Sequence, residues 1–239
     1  MPTVKQSAAR RAQRQRGLSI VELMVGVAVG LFVVAAASML VATQLSDNRR
    51  LTLETQVQQD LRATADIITR ELRRAGHWAK ARDGVAQPAN ANPYGGVTMA
   101  DGTAFANGVT SPGGVLLSYA RSGNEAAENN AIDSAERLGF RLNNGVIQTQ
   151  LGEDNWQALT DANTLTVRTF NLTMNVQPVL LECAKPCPGG GNACWPQLRV
   201  RDIVIDITGE AAHDSSVSRS LSSTVRLRND AVVAGTCPA

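Results

Sequence analysis

The chain has 239 residues, of which 23 are Lys or Arg and 21 are Asp or Glu, and its aromatic content is 4%. The first 17 residues contain no acidic side chain and five basic ones: Lys5, Arg10, Arg11, Arg14 and Arg16. The rest of the chain therefore has 18 basic and 21 acidic residues, a net charge of −3, which argues against a basic nucleic-acid-binding protein.

An apolar segment follows the basic leader, because residues 23–46 contain no charged side chain. As a helix this segment would extend about 36 Å, enough to cross the roughly 30 Å hydrocarbon core of a bilayer. The basic leader is expected to stay in the cytoplasm, which leaves the C-terminal part of the chain on the other side of the membrane. Ala35-Ala36-Ala37 is typical of a secretory cleavage site, but the apolar run continues beyond it.

Residues 17–25, Gly-Leu-Ser-Ile-Val-Glu-Leu-Met-Val, join the leader to the apolar helix. This run resembles the type IV pilin and pseudopilin superfamily, whose precursors have a basic leader, a Gly and an apolar helix with Glu at the fifth mature position. The resemblance implies that a membrane prepilin peptidase cuts between Gly17 and Leu18 and that the new N-terminus, Leu18, is methylated. Leu18 stands where the family usually has Phe.

Glu22 is the one ionisable residue between positions 18 and 46. A carboxylate inside a membrane costs several kcal/mol unless it is paired, and cleavage would create a positively charged amine as its partner. The sequence therefore predicts a charge pair between Glu22 and the terminal amine of a neighbouring subunit, which would set the axial register of a filament. The alternative is a signal anchor whose Glu22 reaches the aqueous interface.

Residues 47–75 are polar but keep a stripe at helical spacing: Leu53, Val57, Leu61, Thr64, Ile68 and Leu72. The stripe predicts an amphipathic helix that continues the apolar one, packs on a domain and stops at Gly76. Residues 70–77, Arg-Glu-Leu-Arg-Arg-Ala-Gly-His, resemble the end of this helix in PilW-type minor pilins. A second interpretation is that these arginines form a solvated face near the helix C-terminus, where cations are favoured.

Alternating apolar residues after the helix predict strands of an antiparallel sheet. The predicted strands are 115–119, a hairpin over 137–150 with an Asn143-Asn144-Gly145 turn, 164–179, 199–208 and 222–229. Residues 83–114 are rich in Gly, Asn, Ala and Pro and predict a long surface excursion. The expected fold class is α+β and pilin-like, with a long N-terminal helix packed on the sheet. Residues 225–229, Val-Arg-Leu-Arg-Asn, also resemble the C-terminal end of PilW-type pilins.

All four cysteines lie in the last quarter of the chain, at Cys183, Cys187, Cys194 and Cys237. Two disulfides are favoured over a zinc site, because an exported domain is oxidised and the spacing lacks paired C-x2-C knuckles. Three pairings are possible, of which one local bond and one bond to Cys237 is favoured. Residues 183–196 form a Gly- and Pro-rich segment between two predicted strands, the cysteine loop. In pilins a disulfide near the C-terminus often delimits a variable surface loop, which makes the cysteine loop a candidate contact surface. A purely structural staple is the alternative.

No catalytic or cofactor motif stands out, so the prediction is a protein without enzyme activity, cofactor or metal. His213-Asp214-Ser215 is interpreted as a loop, because adjacent residues cannot face one another as a catalytic base and nucleophile must. Gly189-Gly190-Gly191 lacks the Lys and Ser or Thr of a phosphate-binding loop. Glu153 and Asp154 could bind calcium weakly, although a chance pair of acids is the better interpretation.

The predicted organisation is a leader at 1–17, a transmembrane and filament-core helix at 18–46, an amphipathic helix at 47–76 and a β-rich domain at 77–239. The resemblance implies a minor pilin that helps to initiate type IV pilus assembly, with roles in twitching motility or adhesion. Its partners would be prepilin peptidase, other minor pilins, the major pilin and the inner membrane, with the domain periplasmic before assembly and extracellular in the pilus. The alternatives are a type II secretion pseudopilin and, in another class, a membrane-anchored receptor or enzyme with an uncut N-terminus.

Overall fold

The computed structural model describes residues 17, 19–86, 92–121, 127–233, 235, 237 and 238. The chain divides into two compact units between Arg49 and Arg50. Helix α1, Ile20–Arg74, begins in the first unit and ends in the second, which confirms the predicted long N-terminal helix. Gly76 follows the end of α1 with a φ of 75°, a left-handed conformation that glycine adopts without strain and that stops a helix.

The second half of α1 packs its predicted stripe into the domain. Five of the six stripe positions are buried and Leu53 is partly buried, while Ala65 joins the buried face. The stripe lies in one apolar cluster with side chains of the strands, such as Phe140, Leu165 and Ile203. An amphipathic helix of this kind is stabilised mainly by burial of its apolar face.

Ten strands and one short α-helix follow α1 among the described residues, together with a 3₁₀ turn at Ser134–Glu136. In chain order they are α2 (Ala81–Ala86), β1 (Val97–Met99), β2 (Thr110–Pro112), β3 (Gly114–Ser118), β4 (Arg137–Asn143), β5 (Val146–Leu151), β6 (Trp156–Ala158), β7 (Leu165–Leu180), β8 (Gln197–Ala211), β9 (Asp214–Arg226) and β10 (Ala231–Val233). The predicted hairpin is confirmed as β4 and β5. Its turn places Asn144 and Gly145 at φ values of 50° and 78°, as a tight hairpin turn requires.

The strands form two antiparallel sheets where the sequence predicted one. The first sheet has the order β1-β3-β4-β5-β6. In the second, β8 pairs with β7 along one side and with both β9 and β10 along the other, and β2 pairs with β7. Alternation identifies a strand and its buried face but not its partner, so the division into two sheets was not readable from the sequence.

The chain crosses between the sheets at Gly113, which separates β2 from β3, and at Gly114, the first residue of β3. The Gly113 amide donates to the Phe170 carbonyl of the second sheet at 2.7 Å, and the Gly113 carbonyl accepts from the Leu142 amide of the first at 2.6 Å. Gly114 has a φ of 148°, and a Cβ there would lie 2.0 Å from the Phe140 carbonyl oxygen. Because glycine has no Cβ, it is the one residue that fits this corner, where the chain passes from one sheet to the other.

Gly114→Ala is therefore expected to lower the free energy of unfolding by about 3 kcal/mol, because it adds backbone strain and a clash with a neighbouring strand. The measurement is urea denaturation of the detergent-solubilised full chain. Gly102→Ala is the control, since Gly102 also has a positive φ of 82° but no atom within 4 Å of the position that an added methyl group would take. Equal losses for the two variants would show that steric contact at the corner is unimportant.

The predicted surface excursion over residues 83–114 is wrong in part. This region contributes part of α2 together with β1 and β2, and it buries Tyr94, Val97 and Phe105. Strands of three residues are too short to show alternation, and single buried aromatic residues leave no periodic signal. Residues 87–91 of the excursion lie outside the described residues.

The predicted loop at 213–215 is also wrong in part, because β9 already begins at Asp214. A two-residue turn joins Ala211 of β8 to Asp214, so the last long strand starts eight residues before the predicted 222. Serines dominate this first half of β9. Serine gives no apolar signal, so a hydrophobicity pattern does not detect this part of the strand. Hydrogen bonds to β8 stabilise it nevertheless.

Candidate assembly segment and contact surfaces

The segment around the predicted cleavage site lies at the start of α1. Gly17 and Ser19 precede the helix, and the Ser19 carbonyl accepts the first helical hydrogen bond, from the Leu23 amide, at 3.0 Å. Leu18, the predicted methylation site, lies outside the described residues. The cleavage and methylation at Gly17 and Leu18 stay predictions.

Residues 20–46 of α1 are predominantly apolar, with Glu22 as their one charged side chain, and they are exposed along their whole length in the described structure. Large side chains are exposed throughout, with Ile20 79% and Phe32 78% accessible. By length and composition α1 can cross a membrane. Two of its hydroxyl groups bond within the helix, since Ser38 donates to the Val34 carbonyl and Thr43 to those of Met39 and Leu40. Such internal pairing is what a polar group needs in lipid.

Glu22 lies in the first turn of this helix, where the helix dipole favours a carboxylate. Its side chain is exposed, and it forms no hydrogen bond or ion pair with any other residue that the structure describes. Gly26 and Gly30 also face open space on α1. The single chain thus presents an apolar helix with one unpartnered charge near its start.

At the other end of α1, residues 70–77 and residues 225–229 meet. The Asn229 side-chain amide donates to the Ala75 carbonyl at 2.9 Å, and the Gly76 amide donates to the Ser118 carbonyl at 2.9 Å. Arg201, which the sequence did not single out, donates to the carbonyls of Asn229 and Gly95. Burial lowers the pKa of Arg201, an effect that the charge of Asp230 opposes. Ala75 and Asn229 are 154 positions apart in the chain, and their hydrogen bond joins the end of α1 to the segment after β9 in one junction.

A buried carboxylate cluster lies close to this junction. The Tyr94 hydroxyl lies 2.9 Å from Glu136 Oε2, 3.1 Å from Glu128 Oε1 and 3.2 Å from the Ala131 carbonyl. The hydroxyl has one proton to donate among these three acceptors. Burial first, and then the hydrogen bonds and charges of the two glutamates, raise the pKa of Tyr94 far above its usual value. The cluster joins Tyr94 to the loop around residues 128–136.

Tyr94→Phe is expected to destabilise the protein by about 2 kcal/mol, because it removes the donor from two buried carboxylates. Tyr119→Phe is the matched control, since the Tyr119 hydroxyl donates only to Glu71, at 2.7 Å. We expect a smaller loss of about 1 kcal/mol for the control. Urea denaturation of the full chain measures both, and a larger loss for Tyr119→Phe would contradict this ranking.

The cysteine loop joins β7 to β8 and is closed by two disulfides. Cys183 is bonded to Cys237 and Cys187 to Cys194, which confirms a disulfide-stapled C-terminal region. The Leu181 amide donates to the Pro196 carbonyl at 2.9 Å, and the Trp195 indole donates to the Lys185 carbonyl at 3.1 Å. The favoured pairing, one local bond and one to Cys237, is the one that the structure has.

The described residues contain no group of three or more His, Cys, Asp or Glu side chains arranged to hold a metal ion. Glu153 lies 3.9 Å from the Arg137 guanidinium, and Asp154 has a φ of 58° in the turn before β6. The sequence did not indicate Tyr94, Glu128, Glu136 or Arg201. They sit singly in loops or at the edge of a strand pattern, so no spacing could have found them.

A prepilin-type N-terminal segment, a long helix and a disulfide-stapled antiparallel β domain together define a type IV pilin-like precursor. Residues 12–38 match the prokaryotic N-terminal methylation motif, and residues 50–227 match the prepilin peptidase-dependent protein B family. The second match covers about three quarters of the chain, and the chain belongs to this family. No curated protein and no solved structure matches the chain.

Proposed function

We propose that the mature chain is a minor pilin that helps to initiate assembly of a type IV pilus and is then built into it. The role is structural and not catalytic. The observation that carries the proposal is Glu22, the single ionisable residue of an exposed apolar helix that begins at a methylation motif and has no partner among the described residues. A carboxylate in this setting needs a partner from another subunit.

Processing comes first in this proposal. Prepilin peptidase cuts between Gly17 and Leu18 and the amine of Leu18 is methylated, which removes the five basic residues of the leader. Before assembly the helix anchors the chain in the inner membrane with its β domain in the periplasm. In the pilus the same apolar surface packs against the helices of neighbouring subunits. The helix is therefore transferred from lipid to the filament core without exposure of its apolar side chains to water.

The amine of Leu18 is the proposed partner of Glu22. In a helical assembly the amine of one subunit lies against Glu22 of the next, which neutralises both charges and excludes axial displacements that would separate them. The partners are therefore other minor pilins and the major pilin. The cysteine loop is a second proposed contact surface, because its disulfides hold an exposed Gly- and Pro-rich segment in one shape.

Pilus and secretion pseudopilus remain two candidates for the filament, and the PilW-like segments favour the pilus. These two segments, residues 70–77 and 225–229, meet at one junction through the bond from Asn229 to Ala75. A deletion strain tests the choice. We expect loss of twitching motility and of surface pili, with normal secretion of extracellular enzymes and restoration by the wild-type gene. Normal pili with defective secretion would instead assign the chain to a pseudopilus.

A further inference from the structure

Two adjoining hollows lie where α1 ends in the β domain, with volumes of about 350 and 470 Å³. Both are lined by Arg73, Arg74 and Arg228; Arg121 extends the first hollow and Arg70 the second. We call the space between these five side chains the arginine cleft. Volumes of this size fall within the range of ligand-binding clefts in proteins.

Positive charge exceeds negative charge in the arginine cleft. The facing acidic groups are Asp66, which lines the second hollow, and Glu71, whose carboxylate lies 3.8 Å from Arg70 and 3.6 Å from Arg74. Glu71 also accepts the hydrogen bond of the Tyr119 hydroxyl. Two carboxylates therefore face five guanidinium groups. Within the described residues Arg73 and Arg228 form no ion pair.

The backbone holds these arginines together although like charges repel. Arg73 and Arg74 come from α1, Arg121 follows β3 and Arg228 follows β9. The three segments are joined by hydrogen bonds between Asn229 and Ala75, between Gly76 and Ser118, and between Ala120 and His77. Arg74 is further placed over the Tyr119 ring, 4.4 Å from its centre. The guanidinium groups are thus gathered before any ligand binds, which reduces the ordering cost of binding.

We propose that the arginine cleft binds an acidic segment of another protein. Guanidinium groups pair with carboxylates through two parallel hydrogen bonds, which suits aspartate and glutamate side chains. Positions 66–74 of α1 extend about 12 Å, which matches an extended peptide of about four residues and exceeds a single phosphate group. Alternate carboxylates of such a peptide would face the arginines of the two hollows.

The charge of the rest of the chain favours a short acidic segment over an extended polyanion. Beyond the leader and apart from the five cleft arginines, the chain has 13 basic and 21 acidic residues, a net charge of −8. A nucleic acid or an anionic bilayer would meet this acidic surface as well as the cleft and would be repelled by it. A peptide of a few residues contacts the cleft alone. This inference is independent of the filament proposed above.

The test is binding of fluorescein-labelled hexaglutamate to the detergent-solubilised full chain, measured by fluorescence anisotropy. The cleft variant is Arg73→Gln combined with Arg228→Gln. The matched control is Arg62→Gln combined with Arg199→Gln, which removes the same charge from two exposed arginines outside the cleft. We expect about fivefold weaker binding for the cleft variant, less than about twofold for the control, and weaker binding of the wild type at high ionic strength.

Three further measurements separate the alternatives. Hexaglutamine should not bind, and inorganic phosphate or phosphatidylglycerol vesicles should compete with hexaglutamate only weakly. The thermal unfolding midpoint of the cleft variant should be unchanged or higher, because the substitutions relieve repulsion. The proposal is overturned by absent hexaglutamate binding at low ionic strength, by equal losses in both double variants, or by cleft-dependent binding that prefers phosphate or vesicles.

Discussion

Glu22→Ala is expected to leave the chain correctly processed and to lower its incorporation into filaments at least about tenfold. The substitution removes the single charge that the apolar helix offers to a neighbouring terminal amine, and that amine would then be buried without a partner. A tenfold effect corresponds to about 1.4 kcal/mol, a fraction of the cost of an unpaired charge in an apolar environment. The measurement is the ratio of the chain in sheared filaments to the chain in whole cells.

Two control variants separate charge from shape and position. Glu22→Gln keeps the size of the side chain and should fail to assemble as Glu22→Ala does. Asp47→Asn removes an exposed acid of α1 beyond the apolar segment and should assemble normally. Wild-type incorporation of Glu22→Ala would show that the proposed charge pair is wrong. Accumulation of uncut precursor would place the effect of Glu22 in processing instead of assembly.

Loss of the Cys183–Cys237 disulfide is expected to destabilise the protein by about 4 kcal/mol, and loss of Cys187–Cys194 by about 2 kcal/mol. The difference follows from loop closure, because the first bond joins residues 54 positions apart and the second residues 7 apart. The longer link also keeps the end of the chain near β10, which pairs with the start of β8. Its removal therefore frees more of the unfolded chain.

The two double variants, Cys183→Ala with Cys237→Ala and Cys187→Ala with Cys194→Ala, are to be compared by urea denaturation under non-reducing conditions. Each removes one disulfide and leaves the other intact, so that no free thiol can exchange with it. Wild type with all disulfides reduced gives the combined effect. An equal or greater loss for the Cys187–Cys194 pair would contradict the chain-entropy account of the longer link.

The parts of the fold that the sequence predicts are those with many residues repeating one pattern. The stripe from Val57 to Leu72 repeats over several helical turns, and the Asn144-Gly145 turn has a specific backbone requirement. The stripe and the turn are both formed by residues close together in the chain, so residue type and spacing identify them directly. The leader and the apolar run are equally local, which is why the prepilin motif is readable without any structure.

The parts that the sequence does not predict depend on contacts between distant residues. Tyr94 contacts Glu128 and Glu136 across more than thirty positions, and nothing in the intervening loops signals that these side chains share one hydroxyl. The change of sheet at Gly114 looks in sequence like an ordinary Gly-Gly turn. The arginine cleft needs Arg73 and Arg228 to meet, and each alone has the ordinary explanation of a cation on a solvated surface.

Mass spectrometry of the mature N-terminus, in cells with active prepilin peptidase, tests the central claim most directly. A precursor of the pilin type predicts a chain that begins at Leu18 and carries one added methyl group on its terminal amine. Cells without the peptidase should contain only the longer form. An intact leader, with residues 5–17 still attached in cells with active peptidase, would contradict the assignment and favour an uncut membrane anchor.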